Sequence, residues 1–553
     1  MIRHTLQHLG ACAGLFLVSS LCQAQWNPAA GQWGRTQTSD LRVMTWNVRD
    51  AICSTSAKAE GANNWCAVAR IIASMKPDVV ILQECGDNSG NGTGGAGDSQ
   101  ANLATAVRLL VDGGPDPFRA NAPVGSYIRK YDASLSYPFV FASGNSDGFN
   151  RNVILSRYPF ADLNGDGRAT YDQFANATDL FAPGGGPGIR GWALAEINLP
   201  DVTYRGNLVV GNSHLKSGGA AADIADRLEA AQNIAYFIDY WFNGGGTSIP
   251  DPRSRISDFP QATAILDSFT PVIWGGDLNE DERDNGRDGP ALWMSRAAVA
   301  GPSDGTDRDR TDSVFDDARD PLNANASSRN TQSSSKLDYL LWQDSVATLR
   351  RSFIYVSSSG GPPAYPPEMI GYPTVALATS TASDHKPVIA DFILPPPVSP
   401  PGAFTLLSPA DASVGLGLTP TLSWSSSSGA ASYTVRIDDN PSFSSPFEQA
   451  GIAATSFAVP SGILAQCGTY WWTVVATNTS GSTSASNGPD AFSTLIPADF
   501  NADGFADFFD YDDFVACYEG FGCPPGKDAD FNGDGFADFF DYDDFVLAYE
   551  EGC

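Results

Sequence analysis

Leu41-Arg42-Val43-Met44-Thr45-Trp46-Asn47-Val48 and Val79-Val80-Ile81-Leu82-Gln83-Glu84 decide the fold class of this chain. Both are near-continuous apolar runs, and they deliver a polar residue, Asn47 or Glu84, at or near their ends. A strand with one wet face alternates apolar and polar residues. A run with little alternation belongs to a strand covered on both faces. Val153–Leu155, Leu208–Gly211 and Pro271–Trp274 are further short runs of the same kind. Over residues 222–242, Ile224, Leu228, Ala231, Ala235, Ile238 and Phe242 recur at 4-3-4-3-4 spacing, which predicts an amphipathic helix. With Gly- and Asp-rich loops between them, these elements predict an α/β domain over residues 25–394.

The chain has 553 residues, enough for several domains. At 42% hydrophobic and 17% charged residues it can bury cores and is not a disordered polymer. Its net charge of −30 is unevenly spread: residues 497–553 hold 16 acids against Lys527 alone, whereas residues 25–396 carry only −12. The charge therefore argues against tight non-specific binding to nucleic acid or anionic lipid. It does not argue against an anionic substrate, provided divalent cations offset the repulsion.

Residues 1–24 read as a secretory signal peptide. Arg3 starts it, Leu9 to Leu21 is the apolar stretch, and Cys22-Gln23-Ala24 is the small-residue cleavage site. The stretch is too short to span a bilayer, so the mature protein is expected to be secreted. Its seven remaining cysteines can oxidise there. Cys53 with Cys66, and a pair among Cys517, Cys523 and Cys553, are the candidate bridges.

Residues 395–402 are a Pro-rich linker, stiff and extended. Residues 403–496 turn Ser/Thr/Val-rich with short alternating runs, such as Tyr433–Ile437 and Tyr470–Val475, and predict a small β-sandwich. In Gly468-Thr469-Tyr470-Trp471-Trp472-Thr473-Val474 this segment resembles a fibronectin type III module.

Only His214 and His385 remain once the leader is removed, which excludes His-rich zinc motifs. His214 follows an apolar run in Asn212-Ser213-His214-Leu215-Lys216, and Asp277 and Asn279 follow another in Gly275-Gly276-Asp277-Leu278-Asn279. Asp338 lies in Lys336-Leu337-Asp338-Tyr339, and His385 in Ser383-Asp384-His385-Lys386-Pro387. Strands of α/β folds deliver site residues at such ends. Two rival motifs fail: Gly144–Gly148 fits GxSxG but precedes a strand, not a helix, and the Gly-rich run Gly90–Gly97 lacks GK[ST].

The ordered set Thr45-Trp46-Asn47, Gln83-Glu84, Asn152–Pro159, Ser213–Lys216, Gly276–Asn279, Leu337–Tyr339 and Ser383–Pro387 resembles the endonuclease/exonuclease/phosphatase superfamily, related to DNase I. The resemblance implies a four-layer α/β sandwich of two packed mixed sheets flanked by helices, and metal-dependent phosphoester hydrolysis. It implies magnesium (or manganese or calcium) held by Glu84, with Asn47 and Asp384 beside it. His385 would act on water or phosphate, oriented by Asp338. Asp277 would position the water, Asn279 would donate to phosphate oxygens, and His214 would assist the leaving oxygen. Arg151 and Asn152 are weaker candidates for substrate contact. The implied activity is an extracellular endonuclease on DNA, with RNA as a second substrate. A sphingomyelinase-like phosphodiesterase is the alternative, and a binding protein with an inactive nuclease-like domain is the alternative of another class.

Residues 497–553 contain a repeat: Gly504–Val515 and Gly535–Val546 are identical at a period of 31. Asp499, Asn501, Asp503, Asp507 and Asp510 occupy positions 1, 3, 5, 9 and 12 of a loop with Gly504 at position 6; Asp530, Asn532, Asp534, Asp538 and Asp541 repeat it around Gly535. Oxygen donors at this spacing, with glycine at the sharp turn, are what calcium requires. A helix should follow each loop, giving a small α-helical calcium-loop module. It resembles a type I dockerin, although Phe-Phe-Asp-Tyr-Asp-Asp departs from the usual recognition surface. The implied partner is cohesin-like or on the cell surface. A third run, Asp162-Leu163-Asn164-Gly165-Asp166-Gly167, has Gln173 at position 12 and reads equally as an Asp/Asn-rich turn or a weak calcium site. Chelating calcium is expected to unfold the tail, seen as loss of far-UV helical signal from the isolated segment; an unchanged spectrum overturns the calcium reading.

Overall fold

The computed structural model describes residues 26–87, 97–145, 150–173, 192–228, 230–231, 234, 263–264, 266–281, 290–291, 330–343, 346–358 and 364–551. The expected leader, most of the Gly90–Gly97 run, residues 146–148 of the GxSxG match and the second half of the 222–242 helix lie outside these residues. The chain divides into two compact units, Met1–Pro397 and Val398–Cys553.

The first unit is mixed α/β with two mixed sheets. Its main elements are β1 (Leu41–Asn47), α1 (Asn64–Met75), β2 (Val79–Cys85), α2 (Gln100–Asp112), β3 (Phe139–Ala142), β4 (Arg151–Ser156), β5 (Thr170–Gln173), β6 (Trp192–Ile197), β7 (Leu208–His214), β8 (Val272–Asp277), β9 (Asp338–Trp342), β10 (Thr348–Ile354) and β11 (Val388–Ile393). One sheet runs β10-β11-β1-β2-β4-β3 and the other β9-β8-β7-β6-β5. Each has a single parallel pair, β1 with β2 and β7 with β8, flanked by antiparallel neighbours.

The alternation of side chains explains the unbroken apolar runs. Val43, Val79, Ile81 and Ile154 of one sheet meet Ala195, Val210, Ile273 and Leu340 of the other in a single core. The opposite faces are also covered: Met44, Trp46, Val80 and Leu82 pack with α1 and α2, and Trp192, Val209, Trp274 and Tyr339 pack with Ala230, Ala231 and Ile234. Asn63 starts α1 by accepting the Cys66 N–H, an N-cap. One expectation fails here: Cys53 and Cys66 are separate buried free thiols, as is Cys85. Cys53 Sγ lies 3.0 Å from the Ser56 hydroxyl and Cys66 Sγ 3.7 Å from Tyr131.

Two details join the sheets, one polar and one steric. Asn212 of β7 donates to the carbonyls of Leu82 (2.8 Å) and Val153 (3.0 Å) and accepts from Gln83 at 2.9 Å. Those carbonyls sit where a register shift between Leu82 and Cys85 interrupts the β2–β4 ladder. Gly275 permits close approach: a Cβ there would lie 2.8 Å from Ile81 Cδ1 and 3.2 Å from Thr45 Cβ of the facing sheet.

In the second unit, β12 (Leu406–Ser408), β13 (Ser413–Leu416), β14 (Thr421–Trp424), β15 (Ser432–Asp438), β16 (Phe447–Ile452), β17 (Ser456–Ala458), β18 (Thr469–Asn478), β19 (Gly481–Ser484) and β20 (Asp490–Thr494) precede α3 (Phe508–Tyr518) and α4 (Phe539–Glu551). The sheets β12-β14-β17 and β13-β20-β18-β15-β16, with β19 on β18, share a core of Leu422, Trp424, Val435, Trp472 and Val474. In the tail, the Asp499 carboxylate accepts the N–H groups of Asp503 and Gly504, and Asp530 repeats this with Asp534 and Gly535. Asp507 and Asp510 form a capping box on α3. Repeat-equivalent residues meet one another: Phe514 stacks on Phe545 at 4.0 Å, and the Tyr511 and Tyr542 hydroxyls share a 2.6 Å hydrogen bond. Cys517 and Cys523 are disulfide-bonded. Among the described residues no helix is long and apolar enough to cross a membrane.

Asn212→Ala removes two hydrogen bonds to buried carbonyls and one of the acceptors of the Gln83 amide, and should cost about 2 kcal/mol of stability. Denaturant unfolding of the first unit checks this; a change below about 1 kcal/mol would show that the inter-sheet amide is dispensable.

Candidate active site

The central strands end in register. Asn47 of β1 pairs with Gln83 of β2, His214 of β7 pairs with Asp277 of β8, and Asp338 of β9 lies across from Asp277. Paired residues in a sheet project to the same face. Alternation puts His214, Asp277 and Asp338 on the face of Val210, Ile273 and Leu340, toward the inter-sheet core. Asn47 lies on the corresponding face of β1, with Val43.

Glu84 needs a further device. By strict alternation it would follow Val80 and Leu82 onto the opposite, helix-covered face. The register shift at this point, and a φ of +52° at Glu84, turn it instead toward the site, with Oε1 3.6 Å from His214 Nε2. A left-handed glutamate costs about 1–2 kcal/mol, which the surrounding fold must hold. Bulges beside active sites commonly re-aim a side chain in this way.

Asp277 is the hub. Its Oδ2 accepts from Asn47 Nδ2 at 2.9 Å and lies 3.5 Å from His214 Nε2 and 3.7 Å from His385 Nε2. Its Oδ1 accepts the backbone N–H of Asn279, whose own side chain donates to the Leu215 carbonyl at 3.0 Å. His385 Nδ1 donates to Asp338 Oδ2 at 2.8 Å. Burial pushes the Asp277 carboxyl up, reinforced by Asp338 and opposed by His385. Burial works against a charged His385, but Asp338 and Asp277 outweigh it and raise the imidazole to about 10. The two carboxylates therefore favour the protonated form of His385.

The remaining expected residues take distinct places. Asp384 is exposed, 3.5 Å from the Arg49 guanidinium, and accepts from Gln332 at 3.2 Å. Asn47 also accepts the Arg49 N–H. Arg151 donates to the carbonyls of Asp98, Ser143 and Gly144, so its guanidinium is engaged in holding loops together. Asn152 is buried and donates to the Asn212 carbonyl at 3.4 Å. Sequence reasoning missed Gln332, whose side-chain amide lies 3.0 Å from His385 Nε2; no motif or periodicity marks it. It also missed Ser383, which donates to the Asn47 carbonyl and accepts the His385 N–H. That signal was readable, since Ser383 stands beside Asp384 and His385.

Ligand atoms of Glu84, His214 and Asp277 lie within 4.8 Å of one another, as do those of Asp277, Asp338 and His385. Asp277 and Asp338 thus flank the His385 ring, while Glu84 and Asp277 flank that of His214. An oxygen-rich site with surplus negative charge fits a hard divalent cation, with Glu84, its side chain 21% exposed, as the accessible donor. Asp277 is common to both clusters, so a buried carboxylate links the accessible acid Glu84 to the His385–Asp338 pair.

No curated protein matches the chain. Among solved structures, the catalytic domain of human Nocturnin with bound sulfate is similar at 12% identity over 64% of this chain and 95% of that one, with a TM-score of 0.31. A mannosyl-6-phosphatase of Bacteroides thetaiotaomicron matches at 14% identity over 64% of this chain and 100% of that one (TM-score 0.32). Beta toxin of Staphylococcus aureus matches at 16% identity over 64% and 99% (TM-score 0.30). The sequence profile of the Endonuclease/Exonuclease/phosphatase family matches residues 44–385, from β1 through His385. Because that match spans more than half of the chain, the protein belongs to the endonuclease/exonuclease/phosphatase family of phosphoester hydrolases.

Proposed function

We propose that the protein is a secreted, metal-dependent phosphodiester hydrolase acting on nucleic acid, DNA first and RNA second. The observation that carries this reading is the convergence on Asp277 Oδ2 of Asn47, His214 and the Asp338-held His385. The fold belongs to the same reading: two facing mixed sheets with helices against their outer faces are what a four-layer sandwich of this kind requires.

Glu84 would hold the cation, with Asn47 and Asp384 beside it. Magnesium there, or manganese or calcium, supplies positive charge for the phosphate and for the leaving oxygen. Asp277 orients the attacking water and takes its proton. Burial makes its carboxylate a stronger base than an exposed one. His385, kept charged by Asp338, donates to a phosphate oxygen. Asn279 supplies a further donor, and His214 stands between Glu84 and Asp277 to assist the leaving oxygen.

Export is part of the proposal. The apolar leader and the Cys517–Cys523 bridge support an oxidising compartment. We read the second unit as a fibronectin III-like sandwich carrying a dockerin-like calcium tail that docks to a cohesin-like or cell-surface partner. Exposed phenylalanines in both repeats, Phe505, Phe508 and Phe509 with Phe536, Phe539 and Phe540, support a docking role.

Purified protein should cleave plasmid DNA with magnesium and not with a chelator, and Glu84→Ala and His385→Ala should each lower the rate by about 10²–10⁴. Cleavage of sphingomyelin but not nucleic acid would favour the lipid phosphodiesterase, and full activity in both variants would defeat the site assignment. Asp338→Asn should lower the His385 titration, followed by NMR in metal-free protein, from about 10 toward or below 6.5. Because the folded value is raised, the stabilisation from this pair is complete below about 6.5 and lost as pH rises through about 10. The stability gap between wild type and Asp338→Asn should narrow over that window.

A further inference from the structure

The loop Asp162-Leu163-Asn164-Gly165-Asp166-Gly167 lies in the first unit, between β4 and β5, yet it is hydrogen-bonded like the tail loops. Asp162 accepts the N–H groups of Gly165 (2.7 Å), Asp166 (3.1 Å) and Gly167 (2.8 Å). Asn164 Oδ1 accepts from Asp166, and Asp166 Oδ1 from Arg168. In the tail, Asn501 accepts from Asp503, and Asp503 from Phe505, in the same order. Gly167 at position 6 has φ +84°, close to the +96° of Gly504.

The difference lies at position 12, where Gln173 offers no carboxylate. Strand β6 offers one instead. Glu196 interrupts the apolar run Trp192-Ala193-Leu194-Ala195-Glu196-Ile197, and alternation puts it on the face of Trp192 and Leu194. It is wholly buried. One carboxylate oxygen accepts the Leu163 N–H, and the other, Oε1, has no hydrogen-bond partner. Ligand atoms of Asp162, Asp166 and Glu196 lie within 4.8 Å of one another. Burial, aided by Asp166 and Asp162 against the Leu163 N–H, raises Glu196 to about 8. Arg168 engages Asp166 Oδ2 at 2.9 Å and so answers one of the three acids.

We propose that Asp162, Asn164, Asp166 and Glu196 form a calcium site in the first unit, with Glu196 in the place that the twelfth loop residue holds in the tail. Calcium suits donors that converge from two elements, because it accepts irregular oxygen geometry where magnesium demands an octahedron. The ion pins the loop after β4 to β6, and thereby fixes the start of the edge strand β5. On its other side the loop is already held by Thr263 and Ala264, whose N–H groups donate to the Asn164 carbonyl.

The test uses the full chain with the tail loops silenced by Asp499→Ala and Asp530→Ala, in excess magnesium to fill the catalytic centre. Bound calcium is counted by equilibrium dialysis. This background should hold one calcium ion per chain and melt at higher temperature when calcium is added. Glu196→Gln and, separately, Asp162→Asn should each abolish both effects. In chelator Glu196→Gln should melt no lower than the background, since the replacement is isosteric and neutral. No calcium in the background, or an undiminished count in either variant, would overturn the site.

Discussion

The two sheets of the first unit must lie close together, and a cluster of side-chain amides centred on Asn212 makes that contact specific. Asn212 reaches from β7 into the facing sheet and donates to the Leu82 and Val153 carbonyls, a paired position just before the β2–β4 ladder shifts register. An apolar residue there would remove the two inter-sheet hydrogen bonds to these carbonyls, and a displaced one would shift the register between the sheets. Gly275, one strand over, allows the approach by carrying no side chain. Just beyond these two contacts the strands end, and the residues of the candidate site begin. The placement of Asp277 against Asn47 therefore depends on how the sheets are seated, not on any loop.

The same irregularity serves two ends. It begins beside the carbonyls that Asn212 uses to join the sheets, and it turns Glu84 out of its expected face toward His214. Stability and function are coupled at one point in β2. A regular strand would pair better with β4 and would send the carboxylate into the helix-covered side.

Much of this was legible in the sequence, for identifiable reasons. Unbroken apolar runs betray strands buried on both faces, and Asn47, His214 and Asp277 stand where such runs stop. What could not be read depends on three-dimensional detail. Nothing in Gln83-Glu84 announces the left-handed backbone at Glu84. Gln332 comes from a Ser-rich stretch without pattern, and its place beside His385 is a matter of tertiary contact. Cys53 and Cys66 had the right separation for a bridge, but each is buried among different hydroxyl partners. Position 12 of the loop at Asp162 looked defective because the carboxylate that faces it, Glu196, lies in another strand.

The tail repeats show what duplication does when the copies face each other. Phe514 against Phe545, and Tyr511 against Tyr542, make one core out of two equivalent halves. Neither half can be ordered without offering the other its packing surface. Any ion that organises one loop therefore also lowers the conformational cost of organising its twin. Were both loops to take up cations, their occupancy would be linked through the common aromatic seam, and the tail would respond to rising cation concentration more steeply than two independent sites.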